Sequence, residues 1–431
     1  MKTGTLWWRY LAVISLITAT ILGGPRPPSA QGQARERDCT LSSVGLTPLT
    51  DLGTGTYNGA TGGLYPGGVN DIPPAHLATG LARAGAIEPL DESGNPSPDG
   101  KVVFASVGFS NPEREFGELV RLVPSIDNLD NQVVVVNGAQ GGEHILKWSN
   151  PNGRPWQGLE RELGVAGVTA PQVQGLWVKM AHRAGVSPDL PFPDNARTYE
   201  AELATVVRLL QERLPNLQVA YVSSRAYGGY GGEASPSPEP VAYEEGFGVK
   251  WLIERQMSGD VSLNADPTAG PIEAPWLAWG PYLWADGTTA RQDGLTWACA
   301  EYRGDGVHLE ATGNRKVATM LLDFLESEPT AAWLFNDREL PPPPEDLGNP
   351  VPTSTLPSDT TSRVSTTAAV DNETTSTTTG AGASTETTSA SPSEPGTVPG
   401  VVWVVVGAAG GLLVGAGIYG LIERRRRHRN G

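Results

Sequence analysis

The chain has 431 residues, with 47 acidic against 31 basic side chains and a formal net charge of −16. This acid excess excludes nucleic acid as a partner, because phosphate binding needs clustered Lys and Arg. The length allows two to three domains, but both ends read as targeting segments and leave one globular stretch between them.

Residues 1–30 have the layout of a secretory signal peptide. Lys2 and Arg9 precede an apolar run from Leu11 to Leu22, Gly23-Gly24-Pro25 breaks it, and small residues around Ser29 and Ala30 offer a cleavage site. The run is short for a membrane span. Residues 31–97 are rich in Gly and Pro and read as an irregular segment packed on the domain that follows. Cys39 and Cys299 are the only cysteines. In an exported protein an even count permits one disulfide, and two isolated thiols are the other reading.

Residues 98–340 alternate between strand and helix patterns. Residues 102–107 form an apolar, β-branched run, the mark of a buried parallel strand. Asn111 reads as an N-cap, with Pro112 as the first helical residue. Phe116, Leu119, Val120 and Val123 then fall at helical spacing. Further strands are expected at 132–136, 176–181 and 217–222, and a fifth in the Trp-rich stretch around Trp276, Trp279 and Trp284. Helices are expected at 198–214, 242–257 and 312–324. This alternation implies an α/β fold, a mostly parallel five-stranded sheet covered on both faces. In such sheets ligands bind beyond the carboxyl ends of the strands, where Ser110, the loop 137–142, His182 and Arg225 all fall.

Residues 341–400 are dominated by Ser, Thr, Pro and Gly and cannot bury enough surface to order themselves; they read as an extended stalk. Asn372 heads a glycosylation triplet within it. Residues 401–422 carry no charge and are long enough to cross a bilayer as a helix. Residues 423–431 are rich in Arg, which places that tail in the cytoplasm. Gly407, Gly411 and Gly415 share small-residue spacing, ordinary for a membrane helix. The sequence thus predicts a single-pass membrane protein with its N-terminal domain outside.

Two short motifs carry chemistry. Gly108-Phe109-Ser110-Asn111 sets a serine between a strand and a helix start, where the backbone dipole favours developing negative charge. Asp305-Gly306-Val307-His308 sets a carboxylate three residues before a histidine, so that a tight turn can aim it at one ring nitrogen. Acyl transfer by serine needs this hydroxyl, base and orienting carboxylate. Alone, Ser110 reads equally as a capping serine, and Asp305 and His308 as turn and surface residues. Their chain order, in a sequence with only five histidines, is what joins them. No cluster shows metal-ligand spacing, the Gly-rich segments lack the Lys-Ser/Thr of a phosphate loop, and no cofactor is expected.

With these motifs the chain resembles the SGNH (GDSL-type) hydrolase superfamily, which implies a flavodoxin-like three-layer sandwich and ester hydrolysis. Gly108-Phe109-Ser110 matches the nucleophile block, with Phe109 where the family has aspartate. Asn137-Gly138-Ala139-Gln140-Gly141-Gly142 is similar to the glycine block, and Asp305-x-x-His308 matches the last block. The resemblance implies Ser110, His308 and Asp305 as catalytic residues, with the N–H groups of Ser110 and Gly142 as oxyanion donors. The asparagine block is missing; His182 stands near its place as a third donor. Asn137, Gln140, Arg225 and Trp284 are candidate substrate contacts. Together these readings predict a membrane-tethered serine esterase acting on a small-molecule or polysaccharide ester, an O-acetylated carbohydrate by preference. The rival is an inactive glycan-binding protein of the same fold.

Overall fold

The computed structural model describes residues 36–344, apart from 184–186, 188, 234, 236 and 237. The expected signal peptide, most of the stalk, the apolar segment 401–422 and the basic tail lie outside the described residues. Among those described, no helix is long and apolar enough to cross a membrane.

Five parallel strands make the sheet: β1 (Val102–Gly108), β2 (Val133–Asn137), β3 (Val173–Lys179), β4 (Val219–Ser223) and β5 (Trp276–Trp279), in the order β2-β1-β3-β4-β5. Every residue of β1, β3, β4 and β5 is buried, while β2, at one edge, is mostly half-buried. This fits runs of apolar residues with no polar alternation. Six longer helices surround the sheet: α1 (Pro74–Ala84), α2 (Ser110–Leu122), α3 (Arg154–Val165), α4 (Asp194–Arg213), α5 (Val241–Met257) and α6 (Ala311–Ser327). Helix α2 packs on α6, and α4 on α5. Phe104 of β1, Trp177 of β3 and Tyr221 of β4 meet Phe116 and Phe324 on the α2/α6 side. The result is an α/β sandwich.

After β1 the chain turns to one side for β2, then crosses to the other side for β3. The crevice at this reversal, beyond Gly108 and Lys179, is where an open parallel sheet leaves room for a ligand. Two fully buried groups brace it from below. Lys179 Nζ bonds both carboxylate oxygens of Glu115 on α2 at 2.8 Å.

Two expectations need correction. Residues 31–97 are not irregular throughout, since α1 lies within them. It opens with Pro73-Pro74, ordinary at a helix start, and covers the β5 edge: Gly80 sits so close that a Cβ there would meet the Trp276 ring at 2.4 Å. His76 Nε2 contacts the Leu277 carbonyl at 2.7 Å, and the Trp276 indole donates to the His76 carbonyl at 3.0 Å. The Gly/Pro-rich flanks hide this helix in the sequence. Helix α2 begins at Ser110, with Phe109 rather than Asn111 at the N-cap. Asn111 does not cap because its side-chain amide reaches the Val307 carbonyl at 3.1 Å.

Candidate active site

The turn after β1 is shaped by Gly108. Its φ is +155°, and a Cβ would lie 2.2 Å from the Lys179 carbonyl oxygen, so only glycine fits between β1 and β3. This tight passage delivers Ser110 to the first position of α2, at the carboxyl rim of the sheet. On the far side of the rim, residues 303–308 form a closed turn. The Arg303 N–H donates to the His308 carbonyl at 2.7 Å, and Gly306 takes a φ of +65°. Asn111 ties this turn to α2 through Val307.

The two motifs meet here. Ser110 Oγ lies 2.8 Å from His308 Nε2, and His308 Nδ1 lies 2.7 Å from Asp305 Oδ2. Asp305 Oδ1 also accepts the N–H groups of Val307 and His308, each at 3.0 Å. Burial works to raise the Asp305 carboxyl, but the His308 backbone and imidazole and the Val307 N–H outweigh it. The carboxyl is held below its ordinary range and is ionised at neutral pH. An ionised carboxylate on Nδ1 fixes the tautomer with its proton there, so Nε2 is left to accept from the Ser110 hydroxyl.

A cleft of about 270 Å³ opens on this serine, lined by Phe109, Ser110, Gly142, His144, Ala181, His182, Arg183, Arg225, Val307 and His308. Gly142 takes a φ of +78°, with open space where a side chain would stand. The backbone N–H groups of Ser110 and Gly142 donate to no described residue. They are thus free to meet an oxygen in the cleft. A larger, open groove of about 600 Å³ lies elsewhere, along Glu113, Arg114, Arg121 and Arg303, and contains none of the Ser110–His308–Asp305 chain.

Of the other expected site residues, His182 and Arg225 line the cleft. His182 Nε2 is engaged by Glu202 Oε2 at 2.8 Å, and its backbone N–H by Glu245 Oε1 at 2.7 Å. That ring nitrogen is therefore not available to a substrate oxyanion. Burial works to lower the His182 imidazole, yet Glu202 and Glu245 prevail and raise it, favouring the charged form.

Asn137, Gln140 and Trp284 do not reach the cleft. Asn137 accepts from Ser106 Oγ at 2.9 Å and donates to the Glu113 carbonyl at 2.7 Å. Gln140 donates to the Gly138 and Pro155 carbonyls at 3.2 and 2.8 Å. Trp284 is wholly buried, and its indole donates to Glu239 Oε1 at 2.9 Å. These side chains hold loops together, so they are corrected from substrate contacts to scaffold. Cys39 and Cys299 are bonded, their Cα atoms 5.5 Å apart. The bond fastens the N-terminal arm beside the turn of Asp305, where the Arg37 N–H also donates to the Gly304 carbonyl at 2.6 Å.

Sequence reasoning missed His144, which lines the cleft just after Gly142. Burial and the charges of Lys147 and Arg183 lower its imidazole, which favours the neutral form. Its scarcity as a residue type was the one signal available: three of the five histidines stand on this cleft.

No protein-family model and no curated protein matches the chain. Among solved structures, a protein from Arabidopsis thaliana is similar with a TM-score of 0.27 at 14% identity, over 49% of this chain and 67% of that one. The C-terminal catalytic domain of peptidoglycan O-acetyltransferase A from Streptococcus pneumoniae gives 0.29 at 12% identity, over 53% and 94%. A salicylyl-acyltransferase from a tetracycline biosynthetic pathway gives 0.28 at 13%, over 55% and 58%, so the chain spans little more than half of that enzyme. Likenesses this faint carry no argument about activity, and the functional reading rests on the site's own geometry.

Proposed function

We propose that this protein is a serine esterase, exported and held at the membrane by residues 401–422. The observation that carries the reading is the hydrogen-bonded chain from Ser110 through His308 to Asp305, set beside two unengaged backbone N–H groups. Ser110 Oγ bonds to the ester carbonyl carbon as its proton passes to His308 Nε2. The ester C–O bond then breaks, and the same proton goes to the departing alcohol oxygen. Water, deprotonated by His308, attacks the acyl-enzyme and releases the acid, returning the proton to Ser110. The N–H groups of Ser110 and Gly142 hold the oxyanion, the first aided by the positive end of α2.

Export is supported by the Cys39–Cys299 bond, since such bonds persist in oxidising compartments. The preference for a carbohydrate loses its footing: Trp276, Trp279 and Trp284 are buried in the core, and the two amides are engaged elsewhere. The test is turnover of 4-nitrophenyl acetate and labelling by a fluorophosphonate probe. Both are expected of the full chain and neither of Ser110→Ala. Unchanged turnover in that variant would remove Ser110 from the mechanism. An epitope placed near residue 40, reachable on intact cells, tests the outward orientation.

A further inference from the structure

The cleft lining lacks the acidic side chains in which the molecule as a whole is rich. The chain carries a net −16, yet the residues lining the cleft include two arginines and three histidines and no carboxylate. Of the arginines, Arg225 is the unusual one. It follows the end of β4 by two residues and is only 3% exposed. Its guanidinium stands 5.2 Å from the Phe109 ring centre, on the residue just before Ser110. It makes no hydrogen bond and no ion pair with any described residue. A guanidinium removed from water without a partner is costly, so a position like this is kept for a ligand or relieved by charge nearby.

The nearby charge is incomplete. Glu239 and Glu245 both feel Arg225, which works to lower them. Burial is the larger influence and pushes each carboxyl up to about 7. At neutral pH they are only partly ionised. Glu239 is in addition engaged by the Gly228 N–H at 2.7 Å and the Trp284 indole at 2.9 Å. Glu245 accepts the His182 N–H. Arg183, exposed on the same lining, adds positive charge, whereas the His182 imidazole is matched by Glu202 at 2.8 Å.

We propose that the cleft selects esters that carry a carboxylate on their acyl or alcohol part, and that Arg225 holds that carboxylate. The planar fork of the guanidinium matches a carboxylate with two parallel hydrogen bonds. The apolar face of Phe109 keeps the fork oriented, and a cleft of about 270 Å³ fits a small dicarboxylic monoester or a single ring. The inference rests on the esterase reading for the reaction, but its binding half stands apart from it.

The test uses the full chain carrying Ser110→Ala, so that neither probe is cleaved, and calorimetric binding of monomethyl succinate, a monoanion, against neutral dimethyl succinate. The monoanion is expected to bind at least about tenfold tighter, with the advantage shrinking as salt rises. Arg225→Gln should abolish the advantage and Arg225→Lys keep part of it, with thermal melts checking that each variant is folded. Should Arg225→Gln fail to fold, Arg225→Lys and the salt series carry the test. Equal affinity for the two probes, or a preference untouched in both variants, overturns the inference. In the kinetic arm, which keeps Ser110, kcat/KM for 4-nitrophenyl hemisuccinate against 4-nitrophenyl acetate reads an acyl-side carboxylate. 4-Acetoxybenzoate against its methyl ester reads an alcohol-side one. Selective binding with no ester cleaved would leave the Arg225 site standing and remove the esterase reading. Cleavage with no preference in either pair, and no selective binding, would do the reverse.

Discussion

Ser110 Oγ and His308 Nε2 stand 2.8 Å apart, although 198 positions separate the two residues in the chain. The sheet makes this contact. Gly108 aims the serine up from the end of β1, and the turn before α6 returns the histidine to the same rim. The Asn111 amide on the Val307 carbonyl locks the two motifs together.

The first prediction follows from the roles in this chain of hydrogen bonds. Ser110→Ala should lower ester kcat by about a million-fold, as loss of a triad nucleophile does. Asp305→Asn should lower it by ~10⁴-fold, because a neutral amide no longer fixes the His308 tautomer. Steady-state kinetics on 4-nitrophenyl acetate measure both. A loss below about tenfold in Asp305→Asn would show that the carboxylate does not orient the base.

The ion pair beneath the site supports a second. Lys179 and Glu115 are both fully buried and mutually bonded. Glu115→Ala leaves an unpaired buried ammonium and should cost about 3–5 kcal/mol of stability. Replacing both groups together, as Lys179→Met with Glu115→Leu, should cost less than the single change. Denaturant unfolding of the three variants reads the difference, and a double variant weaker than Glu115→Ala would refute the account.

These motifs were legible in the sequence because each is short-range. A β-branched run ending at Gly108 signals a buried strand and a turn, and Asp305-x-x-His308 is a spacing that one turn can close. The strand–helix alternation likewise announced the parallel sheet. What could not be read was the destination of polar side chains. Gln140 and Trp284 each need a hydrogen-bond partner, but the chain does not say whether that partner is a ligand or the Pro155 carbonyl and Glu239. Arg225 and His144 raise the same question from the other side. Arg225 was placed on the rim by its position just after a strand end, and it does line the cleft, but His144 sits in no motif and only the converging loops bring it there. Helix α1 was hidden for a different reason, since Gly and Pro around it outweighed its eleven helical residues.

The disulfide yields a third prediction. Cys39 and Cys299 are 260 positions apart, so the bond closes a large loop of the unfolded chain. The paired change Cys39→Ser with Cys299→Ser should cost about 2–5 kcal/mol. It should also lower kcat, because the arm it fastens holds the Gly304 carbonyl next to Asp305. Melting curves and ester turnover with and without reductant check both effects. A variant that melts earlier but turns over normally would confine the bond to stability.

The last prediction concerns pH and Glu245. Burial pushes this carboxyl up to about 7 in the folded protein, from an ordinary value of 4.5. Between these values the folded state holds a proton that the unfolded state has released. The stability from the neutral carboxyl is therefore complete below about 4.5 and is lost as pH rises through about 7. Glu245→Gln keeps the shape and the acceptor for the His182 N–H without the titration. Its melting temperature minus that of the unaltered protein should thus grow more positive from pH 5 to pH 8 and level off above. The charge of Arg225 opposes this trend by favouring the ionised carboxylate, so the slope should be steeper when the comparison is made in an Arg225→Gln background. A difference that stays flat from pH 5 to pH 8 would mean that Glu245 is ionised throughout, with Arg225 and His182 together overcoming its burial.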